Sequence, residues 1–150
     1  MIGRLAPGGA ALLVTTALLA GCGGSGQGYC DVVERHRAAL DDVTVTTDSL
    51  TAAASALHAI EKVAPADIGE AYTAVADSID ALLAAESVAG VPVEELTHDQ
   101  VVDLSEADTE ALEAAYQAFA GTADQRRLIA EDIEGACDVT LKTPAEQGSQ

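Results

Sequence analysis

The 150-residue sequence predicts an all-α fold, an up-down-up-down four-helix bundle, and three observations predict it. Apolar residues recur at steps of three and four, and no run alternates apolar and polar as a half-buried strand does. Ala, Leu and Glu, which are strong helix formers, dominate the body of the chain. Breakers at residues 44–47, at Pro65 and at Gly90 with Pro92 cut the periodic part into four stretches with short links, as antiparallel neighbours in a bundle require.

The first helix is predicted from about Cys30 to Asp42, with Val33, Arg37, Leu40 and Val43, or Val32, His36 and Ala39, along its inner stripe. The β-branched run Thr44-Val45-Thr46-Thr47 ends it. The second helix starts from Asp48, a good N-cap, and its seam is Leu50, Ala53, Leu57, Ile60 and Ala64. Pro65 stops it and suits the start of the next helix, where Asp67 with Glu70 resembles a capping box. The third helix carries Ile68, Tyr72, Val75, Ile79, Leu82 and Leu83, and Gly90 followed by Pro92 ends it. In the connector, residues 91–104, Thr97 and Gln100 cap a short helix to Asp103. Ser105 then caps a fourth helix, with Glu106 and Asp108 in the first turn, where the helix dipole favours acids. Its seam runs Leu112, Tyr116, Phe119, Ala123, Arg126 or Arg127, Ala130, Ile133 and Cys137, one long helix with a bend at most at Gly121.

The N-terminus has the parts of an export signal: one charge, Arg4, and an apolar segment from Ala10 to Ala20. Those 11 residues fall short of the roughly 20 that a membrane-spanning helix needs. Leu19-Ala20-Gly21-Cys22 resembles the lipobox of bacterial lipoproteins. The resemblance implies a Cys22 carrying a diacylglyceryl group, with the chain cut before it. Two acyl chains give stable attachment where one gives only reversible attachment. The domain plan is then a signal peptide over residues 1–21, a lipidated Cys22 with a Gly/Ser tether over 22–28, a helical domain over 29–141 and a disordered tail over 142–150.

Cleavage before Cys22 removes 21 of 150 residues and leaves 129, which fits one domain. Loss of Arg4 takes the formal charge from −18 to −19, and the only lysines are Lys62 and Lys142. Such a surface repels nucleic acid and anionic headgroups, so membrane attachment falls to the lipid. The acidity matches the composition of high-GC actinobacterial proteins; the alternative is an acidity that binds cations or a basic partner. With no Trp, one Phe and three Tyr, the chain has few faces for stacking sugars or bases.

With Cys22 lipidated, Cys30 and Cys137 remain, in an oxidising compartment that favours their disulfide. A bridge across so long a loop contributes roughly 4–5 kcal/mol by chain entropy. In the predicted bundle the start of the first helix and the end of the last share one end, so their Cα atoms are expected at about 4.4–6.8 Å. The same register sets Arg35 near Glu131 and Glu134, and Asp41 and Asp42 near Arg126 and Arg127. The lipobox, Tyr29-Cys30, Ala64-Pro65 and the final Cys137 together resemble small actinobacterial lipoproteins, which implies a helical fold without an assigned activity.

For chemistry, His58 and Glu61 stand three apart on one helix face and together could ligate a metal. Leu57-His58-Ala59-Ile60-Glu61 resembles the GxHxxE motif of imelysin-like iron-uptake proteins, with Ala56 in place of the Gly. The bland reading is a solvated helical pair. His36 between Arg35 and Arg37, and His98 beside Asp99, read as surface residues. The acids Glu94, Glu95, Asp99, Asp103, Glu106, Asp108 and Glu110 lack EF-hand spacing. No GxSxG, phosphate loop or Cys–His pair is present.

The expectation is therefore a non-enzymatic, lipid-anchored module on the extracytoplasmic face of the cell membrane, without a cofactor, acting through a protein partner or as an accessory subunit; a cation-binding bundle is the alternative. The disulfide end lies beside the tether. The turn at 44–47 and the connector at 91–104 face outward, where a partner is expected.

Overall fold

A computed structural model describes residues 25–41, 43–95 and 104–142. Among them every regular element is helical: α1 (Ser25–Asp41), α2 (Thr47–Glu61), α3 (Ala66–Ala89), a 3-10 turn (Val93–Glu95), α4 (Glu106–Gly121) and α5 (Ala123–Cys137). The short helix expected up to Asp103 lies outside the described residues, as does the tail beyond Lys142.

Boundaries differ from expectation where local chemistry outweighs the pattern. α1 begins at Ser25, not Cys30, so Ser25 to Gly28 are helical rather than tether. Tyr29 is buried and Cys30 is bonded; fixing them favours the preceding turn, whose carbonyls receive their amides. Thr46, not Asp48, caps α2: its extended backbone lets the hydroxyl accept from the Ser49 amide. Asp48 sits in the first turn instead. The capping box at Asp67 does not form, because α3 starts at Ala66 with Pro65 at its cap and no side-chain cap bond. Gly90 ends α3 as expected, at φ 70°, which glycine adopts without strain. Ser105 caps α4, accepting from the Asp108 amide at 3.1 Å.

The expected long fourth helix is two helices. At Thr122 (φ −86°, ψ 13°) both the amide and the hydroxyl turn to the Phe119 carbonyl, at 3.1 and 2.8 Å. A threonine that bonds its own backbone competes with the helical ladder, and Gly121 just before it is a weak helix former. The break shifts the seam. Leu112, Ala115, Thr122, Ile129 and Ile133 face inward, in place of the expected Ala123, Ala130 and Cys137 line. Tyr116 and Phe119 are half-buried, and the Arg126 guanidinium lies 4.6 Å over the Phe119 ring.

α3 is the centre of the fold and packs against α2, α4 and α5; α1 packs against α2 and α5. The buried face of α3 carries Ile68, Tyr72, Val75, Ile79 and Leu82, and α2 sets Leu50, Ala53, Leu57 and Ile60 against it. The contacts fix the α2–α3 register: Thr47 meets Glu86, His58 meets Asp80 and Glu61 meets Thr73. Along α1 the inner stripe is Tyr29 and Val33, with Arg37 and Leu40 partly covered.

Cys30 and Cys137 form the disulfide, with Cα atoms 5.3 Å apart, inside the expected range. Beside it, the Tyr29 hydroxyl donates to the Asp132 carboxylate at 2.6 Å and lies 2.8 Å from the Tyr72 hydroxyl. Since the carboxylate only accepts, Tyr72 donates to Tyr29 and the proton order is Tyr72 to Tyr29 to Asp132.

The expected charge pairs between the first and last helices are absent among the described residues. Arg127 pairs with Asp124 and Glu131 on its own helix, and Asp41 takes Arg37 of α1. Asp42 lies outside the described residues. The reason is a segment without a sequence signal. Asp138, in the left-handed region at φ 54°, turns the chain back at the end of α5. Residues 138–142 then run along α1: Val139 is buried, the Thr140 carbonyl accepts from Arg37 at 3.3 Å, and the Lys142 amide donates to Asp41 at 3.0 Å. This strap occupies the space beside α1 that the charge register gives to α5.

Replacing Cys30 and Cys137 together by serine should lower unfolding free energy by about 2–5 kcal/mol, read from urea denaturation followed by circular dichroism. Tyr29→Phe leaves the buried Tyr72 hydroxyl without its acceptor and should cost about 1–3 kcal/mol, whereas Tyr72→Phe keeps the Tyr29–Asp132 bond and should cost about 1 kcal/mol. Equal costs for the two variants would contradict the donor order.

Candidate functional site

Three places gather polar side chains. The first is the α1-start end of the bundle. Tyr29 and Tyr72 are buried to 1% and 0% exposure, with rings edge-on at 6.4 Å between centroids. Burial, then the bond to Asp132, holds the Tyr29 phenol well above its ordinary pKa; burial raises Tyr72 to about 12. Both phenols stay protonated near neutral pH, and with Asp132 they form a polar lock that joins α1, α3 and α5. Cys30 and Cys137 meet beside it, while Cys22 lies outside the described residues, three positions before Ser25.

The second place joins α2 to α3. The structure brings His58 and Glu61 together as predicted, with Nδ1 at 3.5 Å from Glu61 Oε2, and adds two residues that sequence reading missed. Asp80 Oδ2 lies 2.7 Å from His58 Nε2, and the Thr73 hydroxyl donates to Glu61 Oε1 at 2.6 Å. Both ring nitrogens therefore face carboxylates on opposite sides of the imidazole. A metal ligand needs one ring nitrogen free toward the ion, and among the described residues no group of three or more His, Cys, Asp or Glu side chains is placed to hold a metal. The Asp80 carboxylate raises the His58 pKa above its usual value, with burial opposing and Glu61 assisting. The Thr73 hydroxyl lowers that of Glu61, with burial opposing and His58 assisting. The arrangement is a charge-assisted strut between two helices. Asp80 was findable: antiparallel packing of α2 on α3 places the second half of one opposite the middle of the other.

The third place is at the far end of the bundle, where the residue 44–47 turn meets the end of α3. The Thr47 amide donates to Glu94 Oε2 at 3.0 Å, and its hydroxyl lies 3.2 Å from both Glu94 Oε2 and Glu86 Oε2. Glu86 is only 4% exposed. Thr47, Leu83, Glu86, Ser87, Val91 and Pro92 line a shallow cleft of about 320 Å³ there. The backbone amides of Glu94 itself and of Thr47 hold the Glu94 carboxyl below its usual pKa, and burial with the charges of Glu86 and Glu94 raises that of Tyr116. Sequence reading pointed to this end but not to Glu86. Its signal was present: Val75, Ile79, Leu82 and Glu86 continue one inward stripe by steps of four, three and four.

The His58 strut has a defined pH dependence. A histidine whose pKa is raised on folding stabilises fully below its unfolded value near 6.5 and loses that contribution as pH rises through the folded value. The wild-type chain should therefore lose melting temperature on passing from pH 6 to pH 8 relative to His58→Gln, and Asp80→Asn should remove most of that difference, both read by thermal denaturation across pH. Comparison of the chain with family models, with curated proteins and with solved structures gives no match, so its chemistry is argued from its own residues alone.

Proposed function

We propose that this chain is an exported lipoprotein whose helical domain is held by a diacylated Cys22 at the extracytoplasmic face of the cell membrane. There it works through a protein partner and not by catalysis. The single observation that carries this reading is Leu19-Ala20-Gly21-Cys22 at the end of a short apolar segment. One structural feature supports it. Cys30 and Cys137 are paired, which suits an oxidising compartment. No helix among the described residues is long and apolar enough to cross a membrane.

The connectivity that goes with this reading is up-down-up-down, α4 and α5 together serving as the fourth leg. Sequential packing of α1 on α2, α2 on α3 and α3 on α4 supports it. The partner surface of this reading is the outward end around Thr47, Glu86 and Glu94, whose acidity suits a basic partner. The cation-binding alternative at His58 and Glu61 has less support, since both ring nitrogens of His58 already face carboxylates.

Expression of the full chain in a lipoprotein-processing bacterium fed radiolabelled palmitate tests the anchor. Label should enter the wild-type protein, which should sediment with membranes, whereas Cys22→Ser should carry no label and leave the membrane fraction. A labelled Cys22→Ser, or an unlabelled wild type, would overturn the reading.

A further inference from the structure

We infer that the α2–α3 link, residues 62–66, is a foot that rests on the lipid surface and fixes how the anchored domain stands. This deepens the lipid-anchor reading and rests on it. α1 and α3 run in the same direction: Tyr29, near the start of α1, meets Tyr72, near the start of α3, and Thr47, just past the turn that follows α1, meets Glu86, near the end of α3. Ser25 lies four residues before Tyr29 and Ala66 six before Tyr72, or about 6 and 9 Å of helix. The link therefore lies at the same end of the molecule as the start of α1. Cys22 is three residues before Ser25, a reach of at most about 10 Å. A tether so short holds the link against the bilayer at an effective concentration on the order of millimolar or more, so a weak contact suffices to orient the domain.

The chemistry of the link suits that surface. Val63 is 39% exposed, and Pro65 and Ala66 are exposed beside it. Lys62, one of only two lysines in the chain, is exposed at the same turn; its stem can lie along apolar surface while the ammonium reaches a headgroup phosphate. Of the other exposed large apolar residues, Val45 and Val88, at 59% and 73%, belong to the opposite end, where Thr47 meets Glu86, and Leu128, at 44%, lies midway along α5. Exposed Asp67, Glu70, Glu134 and Asp138 lie around the lower end of α3 and α5. They would be repelled by anionic lipid, so the surface that fits is a zwitterionic one.

The chain contains no tryptophan, so Val63→Trp and Val45→Trp each create a single fluorescent reporter. The lipidated full chain, with its disulfide verified by mass, is reconstituted into phosphatidylcholine vesicles with brominated acyl chains. Trp at position 63 should lose much of its emission to the bromines, and Trp at position 45 should not. Mixing in phosphatidylglycerol at low salt should weaken the quenching at 63, and high salt should restore it. Ala66→Trp is the second reporter on the link, and should behave like Val63→Trp. Vesicles that carry the protein, yet quench neither position 63 nor position 66 more than position 45, would overturn the foot while leaving the anchor intact. Protein that fails to float with the vesicles would overturn the anchor and the foot together.

Discussion

Tyr29 and Cys30 are neighbours in the second turn of α1, and between them they tie three helices. The cysteine bonds the end of α5 covalently, while the tyrosine hydroxyl accepts from Tyr72 of α3 and donates to Asp132 of α5. α1 has little else to hold it, since only Tyr29 and Val33 of its apolar residues are fully buried. Burying two phenols and setting a carboxylate beside them is unfavourable unless each polar atom finds a partner. The Tyr72–Tyr29–Asp132 chain supplies those partners, and the disulfide limits how far they can drift apart. The position of α1, and of the strap laid along it, follows from this one knot.

The remainder of the core is built on small side chains. Ala53, Ala54, Ala56, Ala71, Ala76 and Ala115 are buried among the larger Leu, Ile and Tyr residues. Alanine lets helices approach closely but removes little apolar area from water per residue. Such a core gains from added links between helices, and this fold has several: the His58–Asp80 and Glu61–Thr73 contacts at one level of the α2–α3 pair, and Thr47 with Glu86 at the other. The exposed His58–Asp80 pair contributes about 0–1 kcal/mol and the hydroxyl–carboxylate bonds about 1 kcal/mol each, so they define register more than they stabilise. The disulfide carries the larger share.

The helices and most of their inward faces were legible because period and breakers agreed. Leu50, Leu57, Ile60, Ile68, Tyr72, Val75, Ile79 and Leu82 are buried as the 3- and 4-residue steps require, and Gly90 stops α3 where only its left-handed backbone fits. The cysteine pairing was also legible: Cys30 and Cys137 were expected to pair and do, with Cα atoms 5.3 Å apart. Illegible were features set by a single side chain acting on its own backbone. Thr122 breaks a periodic stretch that pattern alone reads as continuous, and Asp138 turns the chain back without a glycine. The candidate sites were half legible. His58 and Glu61 share a face by spacing, but Asp80, which occupies the second nitrogen and changes the chemistry of the pair, comes from another helix. Glu86 was hidden by its type, because a glutamate in an inward stripe reads as solvent-facing.

The strap, residues 138–142, gives the molecule an unusual path for mechanical tension. Its Lys142 amide meets Asp41, at the opposite end of α1 from Ser25. A pull between residues 25 and 142 therefore enters α1 at its first turns and leaves through the strap. The disulfide joins these two segments directly, and the chain between Cys30 and Cys137, a sequence separation of 107 residues, lies outside the line of force. Stretching would peel the strap from α1 and unwind the turns before Cys30 while the rest of the bundle stays unloaded. A chain pulled at these two points would thus yield a few residues of slack without losing its fold.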